Sequence, residues 1–501
     1  MKISDVINHI NLVSEAPSGL TTLRKMIVRL AIQGRLSHGL SLPVSEYPHN
    51  WKVVAGNTVL VSRSGNSKLI KGKLHNSPSE GKFPGYSASG QDVWLDDWEH
   101  EGTAVIISAV GARCGKAFLA KGQWSAIANT HIVWVPEEHF IPEYAMLILN
   151  NEDFWIRSGT AQPFVKVKAT LERPIGVPPL EEQAEIIRKV DHFMNLCAEL
   201  ESAKYLRDTI SESFRISVID AISTSQTSEE LEIAWGRAHN NWGLIAGRTS
   251  SIHDLRTLIL DLATRGDLVK ADQQKATKTI EWTAAELKLD LSKLWNLPTL
   301  FKEKKHGWNR IPLARVGSWG SGGTPTSSRK DYYQDGTIPW AVIGDLNNDV
   351  LTSTEARITE KAMAESSAKM VPKGAVLIAM YGASIGKAAI TGIECCTNQA
   401  IAHCVVDKRI VSIDYFFIVA KSLKRHLVRE GKGAAQPNIS QSVLKHLIID
   451  LPSSGEQELI VDAVAKLMQF CDQIEAALIQ SELLAENLSS SIISETSLQA
   501  L

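Results

Sequence analysis

Hydrophobic positions along this chain follow two regimes, and the sequence passes through both of them twice. From Leu23 to Leu36 (LRKMIVRLAIQGRL) apolar residues fall at helical spacing, at Leu23, Met26, Ile27, Leu30 and Ala31, with Gly34 as a stop. From about Asn50 to Val177 short β-like runs such as TAVIISAVGARCGKAFLA and THIVWVP alternate with Gly, Ser, Asn and Pro. Pro178-Pro179 then suits a helix start. The stripe Ile186, Val190, Phe193, Cys197 and Leu200 predicts a helix from about Leu180 to Ile222, roughly 65 Å long. Lys204 interrupts the stripe, and Leu206, Ile210 and Phe214 resume it. A helix of that length needs a partner along its apolar side.

The second pass repeats the first. LRTLILDLATRGDL from Leu255 matches the first short helix at an offset of 255 − 23 = 232. VAKLMQFCDQIE from Val464 matches VDHFMNLCAELE from Val190 at 464 − 190 = 274, and the offset persists from Glu212, Ser217 and Ile219 to Glu486, Ser491 and Ile493. Between them the β-like pattern restarts at Trp308, as it starts at Trp51. GAVLIAMYGASIGKA from Gly374 matches TAVIISAVGARCGKA from Thr103, Asn398 falls near the counterpart of Asn129, and GAAQPNISQ matches GTAQPFVKV. In the second long helix Ile460, Val464, Leu467, Cys471, Ile474 and Leu478 alternate in steps of four and three, the seam of a coiled coil. Such a repeat fixes the fold class before anything else. It is α+β, with two β-rich domains separated by two long helices able to pair antiparallel, related by a pseudo-two-fold. The expected segments are 1-40 (N-terminal helical), 41-178 (first β-rich domain), 179-225 (first long helix), 226-307 (helical linker with the second short helix), 308-450 (second β-rich domain) and 451-501 (second long helix). A further helix is expected from Thr283 to Leu294, and a solvated turn from Lys302 to Lys305.

Composition narrows the class only a little. A chain of 501 residues with 44% hydrophobic and 22% charged residues is globular and multidomain. The net charge of −2 leaves nucleic acid open, because a patch and not the total binds phosphate. No apolar run suits a bilayer and MKISDVINHINLVSEAPS has no signal-peptide core, so cytoplasm is the expected location. Six cysteines without a CxxC pair read as buried reduced thiols.

Catalytic patterns fail one by one. GARCGKA and GASIGKA lack the first glycine of a phosphate loop, having Val110 and Tyr381 there, and place Ala117 and Ala388 where Ser or Thr would hold magnesium. A β-turn with glycines at unusual backbone angles is the expectation. Cys395, Cys396, His403 and Cys404 suit no structural zinc spacing and read as strand, so no metal is expected. Glu80-Gly81-Lys82 faintly resembles a nuclease triplet, but KLHNSPSEGKFPG reads as a loop with no flanking strand. There is no Asn/Asp-Pro-Pro-aromatic tetrapeptide, nucleophile elbow or HExxH.

What remains is polar and basic loop chemistry at like positions in both halves. The first half offers Arg63, Asn66, Lys68, Lys71, Lys73, Arg113, Lys116, Gln162, Lys166 and Lys168. The second offers Thr324, Arg329, Lys330, Tyr332, Tyr381, Ser384, Lys387, Gln436, Asn438 and Gln441. Lys and Arg contact phosphates, while Arg, Asn, Gln and Ser can read base edges. Each residue alone could equally be solvated loop; the pairing of two such clusters favours nucleic acid. A non-catalytic scaffold with two peptide-binding β modules on a coiled-coil spacer is the competing reading.

The chain resembles the specificity subunit of type I restriction-modification systems. The resemblance rests on GWNRIPLARVGSWGSGGTP, IPWAVIGDLNN, GAVLIAMYGASIGKAAI, NQAI, QPNIS and the two long helices. The first half departs further from the pattern. Val177-Pro178-Pro179 and Glu182-Gln183 fit, but Gly65-Asn66-Ser67 stands where the second half has a Gly-x-Thr-Pro turn. The resemblance implies a non-catalytic subunit with two target recognition domains, each reading half of a split asymmetric DNA site. The helices would set the gap. Two methyltransferase subunits and two motor-nuclease (restriction) subunits would be its partners, with double-stranded DNA and no membrane. S-adenosylmethionine, ATP and Mg would then sit on those partners and no cofactor on this chain.

Overall fold

The computed structural model describes residues 10–39, 46–78, 82–269, 279–296, 307–430 and 438–498. Glu80 and Gly81, the Lys302–Lys305 turn, and Gln436-Pro437 lie outside the described residues. The chain forms two compact units, Met1–Asp208 with Gln480–Leu501, and Thr209–Ile479. Each long helix has 45 residues, Leu180–Thr224 and Ser454–Leu498, so each unit holds the start of one and the end of the other.

Each unit contains the same pair of sheets. In the first, Val61–Ser64, Thr130–Trp134, Ala104–Ser108 and Ala117–Ala120 lie in that order, all antiparallel. In the second unit Gly317–Ser321, Ile401–Val406, Val376–Ala379 and Ala388–Thr391 repeat it, with Val350–Leu351 added at the edge. The companion sheets also correspond. Gly90–Leu95, Phe83–Ser87, Gln123–Ala126 and His100–Glu101 match Arg357–Ile358, Ile338–Ala341, Cys395–Thr397 and Met370–Val371, each with one parallel pairing at its centre. Central strands such as Ala104–Ser108 and Val376–Ala379 are buried along their whole length and read as continuous apolar runs.

Two polar anchors join each β-rich domain to its long helix. Gln183, fully buried, donates to the carbonyls of His139 and Pro178 and accepts from the Ile141 amide at 2.7 Å. Gln457 makes the same three bonds, to Ile410, Pro452 and Ser412. The Trp51 indole donates to Glu182 at 2.9 Å and that of Trp308 to Glu456 at 3.3 Å. Since 456 − 182 and 457 − 183 both equal 274, these are one device used twice. A buried amide so bonded fixes geometry, because losing one partner leaves others unsatisfied.

The seams pack chiefly against the short helices. Ile186, Val190 and Cys197 are buried in one core with Leu23, Met26, Ile27 and Leu30 of the helix Gly19–Ile32, while Phe193 and Leu200 pack against it partly. In the second unit Ile460 and Val464 enter the domain core. Cys471 is buried with Leu255, Leu258 and Leu262 of the helix Thr249–Arg265, Ile474 packs beside it, and Leu467 is half-buried on the same side. Arg24 donates to Glu201 at 2.6 Å, and its counterpart Arg256 donates to Glu475 at 2.7 Å and Asp472 at 2.6 Å. The short helices are therefore braces. Each also holds the far end of the other long helix: the Ser18 amide donates to Glu486 at 3.1 Å, and Arg265 caps the carbonyls of Ile222 and Ser223 at 2.8 and 2.9 Å.

Three expectations are corrected. The segment from Thr283 to Leu294 is not one helix. A single turn, Ala284–Leu287, is capped by Thr283 and Glu286 and ends at Lys288 with φ 52°; Asp290 then starts a separate 3-10 turn, Leu291–Lys293. Leu206 and Ile210, expected to resume the apolar stripe, are 60% and 59% exposed. Lys204 marks the change, since its ammonium binds the last carbonyls of the helix Ile10–Glu15, at Ser14 (2.8 Å) and Glu15 (3.0 Å). The third concerns Phe83–Ser87, a strand where a loop was expected. Pro84 and Gly85 mask the pattern, and a Cβ on Gly85 would stand 2.5 Å from the Leu95 side chain, so glycine lets the strands close there without displacing Leu95.

Candidate nucleic-acid interface

In each unit the loops at one end of the first sheet converge. Ser64, Thr130, Ser108 and Ala117 all lie at that end in the first unit. There the Gly65 amide bonds Thr130, the Ala109 amide bonds Asn129, and the Gly111 amide bonds Pro163, at 2.8–2.9 Å. Gly322, Met380 and Ile439 bond Ile401, Ala400 and Met380 in the second unit. The bridge Val110–Phe164 recurs as Tyr381–Asn438. Gly65 fills the role of Gly322 without the Gly-x-Thr-Pro sequence. A Cβ on either would lie within 2.2 Å of a neighbouring oxygen, Thr130 Oγ1 or the Thr397 carbonyl.

The glycine motifs form the hairpin turns at the centre of this surface. Gly111 and Gly115 have φ 95° and 93°, Gly382 and Gly386 φ 65° and 77°. Arg113 and Lys116 stand exposed on the first turn, beside exposed Gln162 and Lys166. Asn66 accepts from the Lys68 amide at 2.9 Å and donates to Glu99; Arg63 and Lys68 are exposed. Lys71 and Lys73 continue on a 3-10 turn, where Lys71 pairs with Asp92. Lys168 is exposed on the short helix Val167–Leu171.

In the second unit Tyr381, Ser384 and Lys387 occupy the turn, with Asn438 bridged to Tyr381 and Gln441 starting the helix Gln441–Lys445. Gln436 lies outside the described residues. Thr324 is exposed after the buried Gly323. Arg329 and Lys330 sit further along, against the companion sheet. Arg329 grips Asp331 with two bonds of 2.6 and 2.9 Å and stacks 4.2 Å over the Tyr332 ring. Arg329, then Lys361, hold the Asp331 carboxyl far below the usual range. Tyr332 itself is 5% exposed, its hydroxyl donating to Glu365 at 2.7 Å, so its ring supports Arg329 from below.

Two residues on this side escaped the sequence reading. Lys421 and Lys424 lie half-buried on the helix Ile413–Glu430, beneath the Gly382–Lys387 turn. Nothing in a run of helix-forming residues marks a lysine as cleft-facing; only the fold does. Cys395 and Cys396 are buried on the strand Cys395–Thr397, and Cys404 beside half-buried His403 on Ile401–Val406. Burial pushes the Cys395 thiol up to about 11 and lowers the His403 pKa, the behaviour of packed strand residues. Among the described residues no group of three or more His, Cys, Asp or Glu could hold a metal ion, and no helix is long and apolar enough to cross a membrane.

Paired β-rich domains on long helices, with polar loops at corresponding ends, define a duplicated recognition protein. The family described as "Type I restriction modification DNA specificity domain" matches residues 52–207 and 305–483. The chain belongs to this family and is a specificity subunit of the type I restriction-modification kind. Among similar proteins is the Escherichia coli type I restriction enzyme EcoR124I/EcoR124II specificity subunit, 26% identical over 183 residues, 36% of this chain and 45% of the relative. Another is the MjaIX specificity subunit of Methanocaldococcus jannaschii, 32% identical over 195 residues, 37% of this chain and 44% of the relative. The chain thus spans less than half the length of these two relatives. The crystal structure of the HsdS subunit from Thermoanaerobacter tengcongensis aligns over 91% of this chain and 99% of its own, at 16% identity and a TM-score of 0.40.

Proposed function

We propose that this chain binds a bipartite, asymmetric DNA site, one half through each β-rich domain, and directs methyltransferase and restriction subunits to it. The duplicated loop-bearing sheet end carries this reading. Two copies of one frame, furnished with different side chains, suit two different half-sites read by one molecule. The recognition surfaces would be Arg63–Lys73, Arg113, Lys116, Gln162, Lys166 and Lys168 in the segment 41-178, and Thr324, Arg329, Lys330, Tyr381, Ser384, Lys387, Asn438 and Gln441 in 308-450. Exposed Lys and Arg supply phosphate contacts and release counterions, while amides and hydroxyls address bases. The long helices in 179-225 and 451-501 act as spacer, their 45-residue lengths being of the order needed to hold half-sites ~34 Å apart, one helical turn of DNA. Methyl donor, ATP and Mg belong on the partner subunits, and the cytoplasm is where such a complex meets DNA.

The deciding measurement maps N6-methyladenine in cells expressing this chain with its methyltransferase. The expected result is a split motif with a fixed gap. Absence of any sequence-specific methylation or binding with partners added favours the scaffold reading and removes this one. The gap itself is testable by inserting one helical turn, four residues adding ~6 Å, into the first long helix. Lys204 and Arg207 are both tied to Glu15, so the insertion belongs after Arg207. A longer gap between unchanged half-sites is expected; an unchanged gap removes the spacer role.

A further inference from the structure

A cleft of about 650 Å³, with charged side chains set among apolar ones, opens within the second unit, between the helices Thr249–Arg265 and Ile413–Glu430 and the end of the first long helix. Its lining holds four lysines and arginines, and two of them are answered. Arg256 is held by Glu475 and Asp472, and Arg425 by Asp220 at 2.9 Å and Asp261 at 3.7 Å. The carboxyl of Asp254 is taken by Arg215. Lys421 and Lys424 have no ion-pair partner among the described residues. The Lys421 ammonium rests 4.4 Å from the centre of the Phe417 ring. Burial lowers its pKa, with Asp349 acting the other way. An anion entering the cleft would relieve that desolvation.

Two observations indicate which anion. Lys424 adjoins the turn that bears Tyr381, Ser384 and Lys387, with Lys421 one helical turn before it: a Cβ on Gly386 would stand 2.4 Å from the Lys424 Cα and 2.9 Å from its Cβ. The Lys424 stem therefore runs directly under the proposed recognition surface. The first unit supplies the contrast. Tyr144 and Tyr415, Gly111 and Gly382, and Lys116 and Lys387 all differ by 271, which places Asn150, just past the helix Pro142–Leu149, opposite Lys421. Beneath Gly115, the counterpart of Gly386, stand Trp155 and Arg157, and that arginine is already paired with Glu152 at 3.2 Å. Asn150 is occupied, its oxygen accepting from the Ala117 amide at 3.0 Å. A protein partner binding both halves alike would need the same cations in both. A DNA half-site read by one domain would not.

We infer that Lys421 and Lys424 form a phosphate-binding cleft particular to the second recognition domain, extending its DNA contact from the Gly382–Lys387 turn onto the helix behind it. The inference rests on the DNA reading above. The test uses the full chain with its methyltransferase and a duplex carrying the mapped site, with affinity followed over a salt series. Replacing both residues (Lys421→Gln with Lys424→Gln) should weaken binding and make the slope of log K against log salt shallower by ~1.8, two contacts at ~0.9 each. The pair Lys421→Arg with Lys424→Arg should keep the wild-type slope. An unchanged slope in the glutamine variant overturns the inference and leaves the DNA reading intact. So does loss of methyltransferase co-purification at wild-type slope, which would assign the cleft to a protein. Equal loss in both variants overturns it as well, since charge would then be irrelevant. Failure of the wild-type complex to prefer its site removes the DNA reading itself.

Discussion

The turn after Ala104–Ser108 presents Arg113 and Lys116, with Gln162 and Lys166 beside it; the same turn in the second domain presents Tyr381, Ser384 and Lys387, with Asn438 beside it. The bonds beneath these side chains scarcely differ. Ser108 bonds the Lys116 carbonyl and Ala379 that of Lys387, both at 2.8 Å, and the buried glutamines and indoles tie each domain to its helix in the same way. What the comparison teaches is a division of labour within one module. Backbone bonds and buried amides hold four loops at a sheet end, and the outward side chains can then change without moving the frame. This arrangement suits the proposed reading, in which each copy meets a different half-site.

The frame should be the most sensitive part, and equally so in both copies. Gln183→Leu and Gln457→Leu each leave a buried amide and two carbonyls without their partner. Each is expected to cost about 2–4 kcal/mol, at ~1–3 kcal/mol for each unsatisfied group with partial rescue by water. Chemical denaturation of the two variants measures this. A large loss in one and none in the other would break the equivalence of the two anchors. Single glycines of the turns rank next and should differ with their surroundings. Gly386→Ala combines φ 77° with a Cβ 2.4 Å from the Lys424 backbone, whereas Gly111→Ala meets φ 95° but open space. The first should lose about 2–3 kcal/mol and the second about 1 kcal/mol, the price of the left-handed conformation alone. Equal losses would mean that the close approach to Lys424 is not what requires glycine.

Much of this frame was legible in the chain. Period and offset located the long helices to within two or three residues, because 45-residue amphipathic runs and a constant spacing leave few alternatives. The brace helices were visible for the same reason, but not their role, since an Arg24–Glu201 contact spans 177 positions and leaves no local pattern. Short strands were harder. Phe83–Ser87 carries Pro and Gly and so reads as a loop, yet its pairing with Gly90–Leu95 closes it. The Thr283–Leu294 segment failed the other way: good helix formers were overridden by Lys288 in a left-handed turn and by the Asp290 cap. At the candidate interface, sequence could nominate Arg329 and Tyr332 but could not tell that one is half-buried and clamped while the other is buried beneath it.

Acid should sharpen the comparison at the helix starts. Burial pushes the Glu182 pKa up, but hydrogen bonds from Trp51, Ser37, Asn50 and His38 outweigh it, and the net shift is downward. A depressed carboxyl stabilises the fold above its unfolded value, near pH 4.3, and that contribution is lost as pH falls through the lower folded value. Wild type should therefore lose a component of stability between about pH 5 and pH 3 that Glu182→Gln lacks. Thermal melts across that range test it, and parallel curves for the two proteins would deny Glu182 the role.

The smallest effect is expected where the copies differ by a single acceptor. Arg24 meets Glu201 alone; Arg256 meets both Glu475 and Asp472, and it is 29% exposed at the side chain against 31% for Arg24. Exposed ion pairs contribute little, and salt weakens them. Arg256→Ala should consequently lower the melting temperature slightly more than Arg24→Ala, and raising the salt concentration should shrink the gap between the two variants. The stems of both arginines also lie along their helices, so each alanine variant loses some packing that salt does not touch. Lysine at each site separates the terms, because it retains a stem and a charge but not the two-pronged reach to Glu475 and Asp472. Lys at 256 should fall below wild type while Lys at 24 matches it. If both lysine variants melt with wild type, the second acceptor adds nothing, and the braces are equivalent in strength as well as in place.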